Sequence, residues 1–475
     1  MTASAAVSAN LNLDAGRFAA DPWADDAVAK IMGGWSLPQP IPMNIEDKLE
    51  LANAVASQWV DHWLRLNEVT ADFSRWSSNA AVQGWTPPQR GMVAPVQSAL
   101  GEYLTASRGM PEWADAKKIA RAEELFMDNG VLSVVLLFCS SLPECYVLPD
   151  LSAVLNATGQ LVDHTDYRIR QTGAMIFPVM NEGGMCTPDG LGIAQILKVR
   201  LIHATVRNLI LRENPSAVLM AFQSANGAAG AGIVPAIEGL AATQNMHHKL
   251  FGMGWNVGTQ GLPCNQEELA YTLLTFSYVY LRSLRILGLG YKKDDEEAFL
   301  HAWNVACHYL GIEKQWMAWD MVSAKSMFDT MQARGRMRIA ERRKANPATP
   351  DARPALGNAL MNAMSGVIPW TVFKPFPVLL TRHLCGQQMA EDLGIDGPVP
   401  VTSQVLFTVF VATARVIDTV VGVVAPGFCL SRWLTKKLGK PLTYELMMTQ
   451  TRSLKMPTHL RTHIDGILSK WSQRD

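Results

Sequence analysis

The stretch Ile193–Arg212, IAQILKVRLIHATVRNLILR, decides how this chain reads. At about 100° per residue, Ile193, Ile196, Arg200, His203, Arg207 and Ile210 share one stripe of a helix. Most of the remaining circumference is apolar too, through Leu197, Val199, Leu201, Ile202, Val206, Leu209 and Leu211. A helix apolar nearly all round is buried, so the sequence predicts a histidine and two arginines inside the protein. A buried guanidinium without a counter-charge is costly, so Arg200 and Arg207 each require an anion or a full set of acceptors.

The rest of the composition agrees with a helical protein. Of 475 residues, 48% are hydrophobic and only 18% charged; Met (23) and Trp (14) are plentiful, and strand-type alternation is rare. An all-α fold is predicted, with a large helical core around a buried pocket and additional N- and C-terminal helices. The expected divisions are a helical lead-in over 1–112, a core over 113–345 and a C-terminal helical region, 346–475, packing on that core. The formal net charge is zero, which gives no electrostatic argument for nucleic acid. The seven cysteines are scattered and include no C-x-x-C pair, so neither a disulfide framework nor a zinc site is indicated. With no basic-then-apolar leader at the N-terminus, a reduced, cytoplasmic setting is expected.

Local signals fill in the chain. Residues 1–45 read as a loosely ordered lead-in, after which Asn44 caps a helix. Gly130 closes an amphipathic helix, and Val131–Ser141 is a buried helix or turn. Gly183–Gly192 is a loop from which Asp189 or a neighbour starts the central helix. Asn265 with Glu268 makes a capping box for a helix that runs to Gly288. The basic stretch Arg334–Lys344 decorates a solvated helix end before the linker ANPATPDARPALG. Val405–Val424 is long and apolar but carries Arg415 and Asp418, a pair that suits one face of a buried helix. A core or oligomer-interface helix is preferred there, and membrane association stays open.

Several constellations carry chemistry. His203 on a rigid helix is a natural axial ligand for haem iron, with Arg200 and Arg207 placed to bind carboxylates such as propionates. The competing explanation is a buried Arg–Glu network using Glu144, Glu182, Glu267 or Glu268. Arg168, Gln171, Thr172 and Met175 share a face of the preceding long helix, as a cofactor's far wall or as plain contacts between helices. Glu144 is a candidate general base if buried. His247–His248 and His301/His308 lack the carboxylates of a facial triad, and Gln223–Gly232 lacks the spacing of a dinucleotide loop.

Three segments, VRLIHATVR (199–207), RIRQTGAM (168–175) and GLPCNQEELAYTLLTFS (261–277), resemble the latex-clearing-protein and MpaB-type oxygenase family, with a weaker echo at Leu380–Gly394. The resemblance implies an all-helical fold carrying haem b. His203 then matches the proximal iron ligand, Arg200 and Arg207 the arginines accompanying it, and Arg168 and Thr172 distal-side positions. Gln171 stands where rubber-cleaving members have a lysine able to occupy the sixth iron position, so an open or water-bound distal site is expected. The implied function is a haem-dependent oxygenase using O2 on a small apolar substrate, isoprenoid or otherwise unsaturated. A helical haem- or lipid-binding sensor without turnover is the alternative.

Overall fold

The computed structural model describes residues 13–34, 61–107, 109–157, 165–225, 230–237, 246–366, 368 and 370–424, except the side chains of 13, 131, 165–171, 414 and 417–424. It is built from helices. Among the described residues the only sheet is a two-residue antiparallel pairing of Ile233–Val234 with Trp255–Asn256.

The central helix spans Gly192–Leu211. It packs between helix Pro22–Met32 and helix Thr165–Met180, while Ala116–Asn129 lies along Lys293–Tyr309. The core is continuous from Ala24 to Ile395, so the beginning and end of the chain share it with the middle.

The first segment departs from the expected loose lead-in. Pro22–Met32 is a buried helix, capped by Asp21 through its side chain, with Pro22 in the first turn and Gly33 (φ 83°) closing it. Those are ordinary start and stop signals. Ala24, Ala27, Val28, Ile31 and Met32 supply its buried side. The expected cap at Asn44 lies outside the described residues; 61–72 are helical.

The central helix has no side-chain cap from its own neighbours, Asp189 included. Asn79 serves from 114 residues away, its Oδ1 accepting from Ile193 N at 3.0 Å and Ala194 N at 3.4 Å. Its Nδ2 donates to Gly184 O and Thr187 O, both at 2.9 Å. The glycines of this loop let backbones meet: a Cβ on Gly192 would lie 2.8 Å from Gly184 O.

Gly130 ends helix Ala116–Asn129 as expected. Val131–Leu136 then runs through one π-helical turn, Leu137–Ser141, into Leu142–Cys145. The helix after Asn265 is broken, as Gln266–Phe276 and Tyr278–Ile286. Ser277 Oγ donates to Leu273 O at 2.9 Å, a back-bond that bends helices.

The basic stretch does end a helix, with Arg343 and Lys344 exposed, but its other arginines are half-buried on acidic partners. It lies in helix Met321–Ala345, where Arg342 binds Asp150 at 2.6 and 2.9 Å. Arg336 reaches Asp392 at 2.7 Å, and Arg338 comes within 3.5 Å of the buried Glu267. The expected linker is likewise tied down: Arg353 is buried on Asp351 as it starts helix Arg353–Gly366. Val401–Val424 is a helix, but Val405, Val409 and Phe410 are exposed rather than in the core. Arg415 donates to Ile286 O; Asp418 lies outside the described side chains.

Candidate active site

A cavity of about 320 Å³ lies against the central helix, and His203 lines it. Val199, Val206 and Leu209 continue that wall. Val28 and Ile31 come from the N-terminal helix, and Met175 and Ile176 from the helix before the loop. Leu142, Cys145 and Tyr146 follow the π turn, and Leu269, Thr272 and Leu273 come from the capped helix. The walls are apolar, relieved by the hydroxyls of Thr70, Thr172, Thr205 and Thr272 and the imidazoles of His203 and His247. No Lys, Arg, Asp or Glu occurs among the described lining residues.

Arg200 and Arg207 flank His203 in sequence but do not line the cavity. Arg200 holds Asp21 in a two-point contact, Nε to Oδ2 at 2.5 Å and Nη2 to Oδ1 at 2.8 Å. Gly311 (φ +86°) lets the chain pass this pair, since any Cβ there would strike the Asp21 carboxylate. Arg207 Nε donates to Asp25 Oδ1 at 2.8 Å, and its Nη1 to Cys264 O, also at 2.8 Å. The anions that face them are therefore two aspartates of the first segment rather than the suggested glutamates. Burial pushes Asp25 up to about 6, against the lowering effect of Arg207. Cys264, a cavity residue, sits at φ 49°. That strained backbone is held by the bond from Arg207 to its carbonyl.

The other predicted site residues divide. Thr172 lines the cavity, bringing the preceding helix and His203 to one space. The side chains of Arg168 and Gln171 lie outside the described residues. Glu144 is buried, but its carboxylate is occupied by Arg282 Nη2 and Gln332 Nε2, both at 2.7 Å, and it is not a lining residue.

Two groups were not assigned to the site from the sequence. His247 is buried in the cavity wall, edge-on to Trp63 at 4.5 Å, and burial pulls it down to about 3, so it is a neutral imidazole. Lys198 is also buried; its Nζ donates to Trp76 O at 3.1 Å and lies 6.0 Å from the ring of Phe73, a lining residue. Burial lowers it to about 8. A lysine in an otherwise apolar helical run was its only signal.

A helical fold with an imidazole lining an apolar chamber has the composition of a site for an apolar ligand or cofactor. Residues 235–416 match the family model of the ER-bound oxygenase mpaB/B′ and rubber oxygenase catalytic domain. The rubber oxygenase of Streptomyces sp. (strain K30) is 23% identical over 252 residues, 52% of each chain. This chain thus aligns with about half the length of that curated relative. The fold matches the structure of latex clearing protein LCP in the closed state, with a TM-score of 0.56 and 17% identity over 90% of this chain and 91% of that one.

Proposed function

We propose that the cavity holds haem b on His203 and that the protein is an oxygenase acting with O2 on a small apolar, unsaturated substrate of isoprenoid type. The observation that carries this reading is His203 lining an apolar chamber of about 320 Å³. The family's oxygenases and the rubber oxygenase relative support the reaction class.

The residues present fit the group. A neutral imidazole on a rigid helix suits iron, and the aliphatic walls suit a macrocycle. Its carboxylate edge finds no cation among the described lining residues, so Arg200 and Arg207 act here by fixing the central helix. When bound, haem would supply the activation of dioxygen.

The chain's own part is orientation and exclusion of water. The two buried arginine–aspartate pairs hold the helix carrying His203 against the N-terminal helix. Thr172 Oγ1 is a hydrogen-bond donor on the wall of the same chamber. Val206, Leu269 and Leu273 keep the space dry and receive an apolar chain. With its carboxylate bound to Arg282 and Gln332, Glu144 is assigned no proton transfer.

The test is oxygen uptake by haem-loaded protein supplied with squalene. Uptake is expected, and Val206→Trp, which fills the chamber, should lower it by roughly tenfold or more while the chain stays folded. Fully loaded wild type that consumes no oxygen with such alkenes would point instead to a binding or sensor protein.

A further inference from the structure

We propose that Lys198 is the cation that receives a haem carboxylate, an inference that rests on the haem reading above. The central helix and its C-cap carry four buried cations. Arg200 and Arg207 each hold an aspartate. Arg212, at the helix end, donates to the carbonyls of Phe251, Pro235 and Met253. Lys198 differs from all three. It is 1% exposed, yet its Nζ donates to a single acceptor, Trp76 O at 3.1 Å.

Among the described residues no carboxylate pairs with it. Asp72, the acidic residue nearest Trp76 in the sequence, is taken by Arg75 and by the indoles of Trp76 and Trp85. Burial lowers Lys198 only to about 8, so it keeps its charge at neutral pH. A buried ammonium has three donors to satisfy and a charge to balance, and one neutral carbonyl does neither in full.

The place of Lys198 on the helix points to the chamber. At about 100° per residue it falls within about 40° of Ile202, Thr205 and Leu209, all of which line the cavity. The lining stretch of this helix begins at Val199, so Lys198 stands at its N-terminal limit. The ring of Phe73, another lining residue, is 6.0 Å from Nζ. The ammonium therefore sits just behind the chamber wall.

The two needs are complementary. No Lys, Arg, Asp or Glu occurs among the described lining residues, so haem's two carboxylates would be costly to bury there without a cation nearby. Lys198 lacks an anion at the edge of the same space. The donors that Trp76 O leaves over are those from which a carboxylate oxygen accepts charge-assisted hydrogen bonds.

The experiment titrates the full chain, free of haem, with haem and with haem dimethyl ester, whose carboxylates are blocked, and follows the Soret band. Wild type should bind haem about tenfold or more tightly than the ester. Lys198→Met should weaken haem binding by about the same factor and leave binding of the ester within twofold. Its melting temperature without haem should be no lower than wild type's, because the substitution removes a buried charge. Wild type that binds the ester as tightly as haem overturns the proposal and leaves the haem reading standing. So does a Lys198→Met variant that matches wild type with both forms, or that loses affinity for both equally. Wild type that binds neither form overturns the haem reading itself, and this proposal with it.

Discussion

Arg207 Nε lies 2.8 Å from Asp25 Oδ1, and each side chain is 1% exposed. The contact joins the helix bearing His203 to one that precedes it by 182 residues. Removing one partner strands a charge in the core. Asp25→Ala should therefore cost about 3–5 kcal/mol, read by urea unfolding. Pairing Asp25→Leu with Arg207→Met should recover most of the loss, because desolvation of both charges is then avoided. A loss below about 1 kcal/mol for Asp25→Ala would leave the pair no structural role.

Asn79 closes the start of the same helix. It gives two hydrogen bonds to the Gly183–Gly192 loop and receives two from Ile193 and Ala194. Asn79→Ala should destabilise by about 3 kcal/mol. Amide exchange at Ile193 and Ala194 should accelerate well before that of the helix middle. Unchanged exchange there would remove Asn79 from its capping role.

Glu268 is buried beside Asp150 and Glu267, with Arg338 the facing cation. Burial is the main cause that raises it to about 8, and its Oε2 accepts no hydrogen bond. The folded state thus keeps a proton that the unfolded chain releases near the ordinary carboxylate range. Glu268's contribution is fully present below that range and is lost as pH rises toward 8. Glu268→Gln, which cannot ionise, should gain on wild type across that interval, by on the order of 2 kcal/mol at pH 8. A difference that is flat with pH would contradict this.

How legible this was in the sequence depended on the range of the interactions. The central helix was readable because its apolar periodicity is local, and so were Gly130 and the cap at Asn265, whose Oδ1 accepts from Glu268 N at 3.0 Å. The family's likeness was readable as well. The need for anions at Arg200 and Arg207 followed from burial alone. Their identity did not, since Asp21 and Asp25 are brought in from a segment that lacked any long apolar run. Asp21–Pro22 and Gly33 were helix boundaries in plain view. The basic run Arg334–Lys344 misled because its acidic partners, Asp150, Glu267 and Asp392, are distant in the chain. Val405–Val424 was legible as a helix, but not the direction of its apolar residues, of which Val405, Val409 and Phe410 are exposed. His247 was weighed as a metal ligand and set aside, and only the fold shows it in the wall of the chamber.

The most direct measurement is the absorption spectrum of the purified protein reconstituted with haem, for wild type and for His203→Ala. A Soret band in wild type that is lost or strongly shifted in a folded His203→Ala variant is the predicted result, since His203 is the histidine of the central helix that lines the cavity. A wild-type protein that shows no Soret band, or a variant whose spectrum equals the wild type's, contradicts the account.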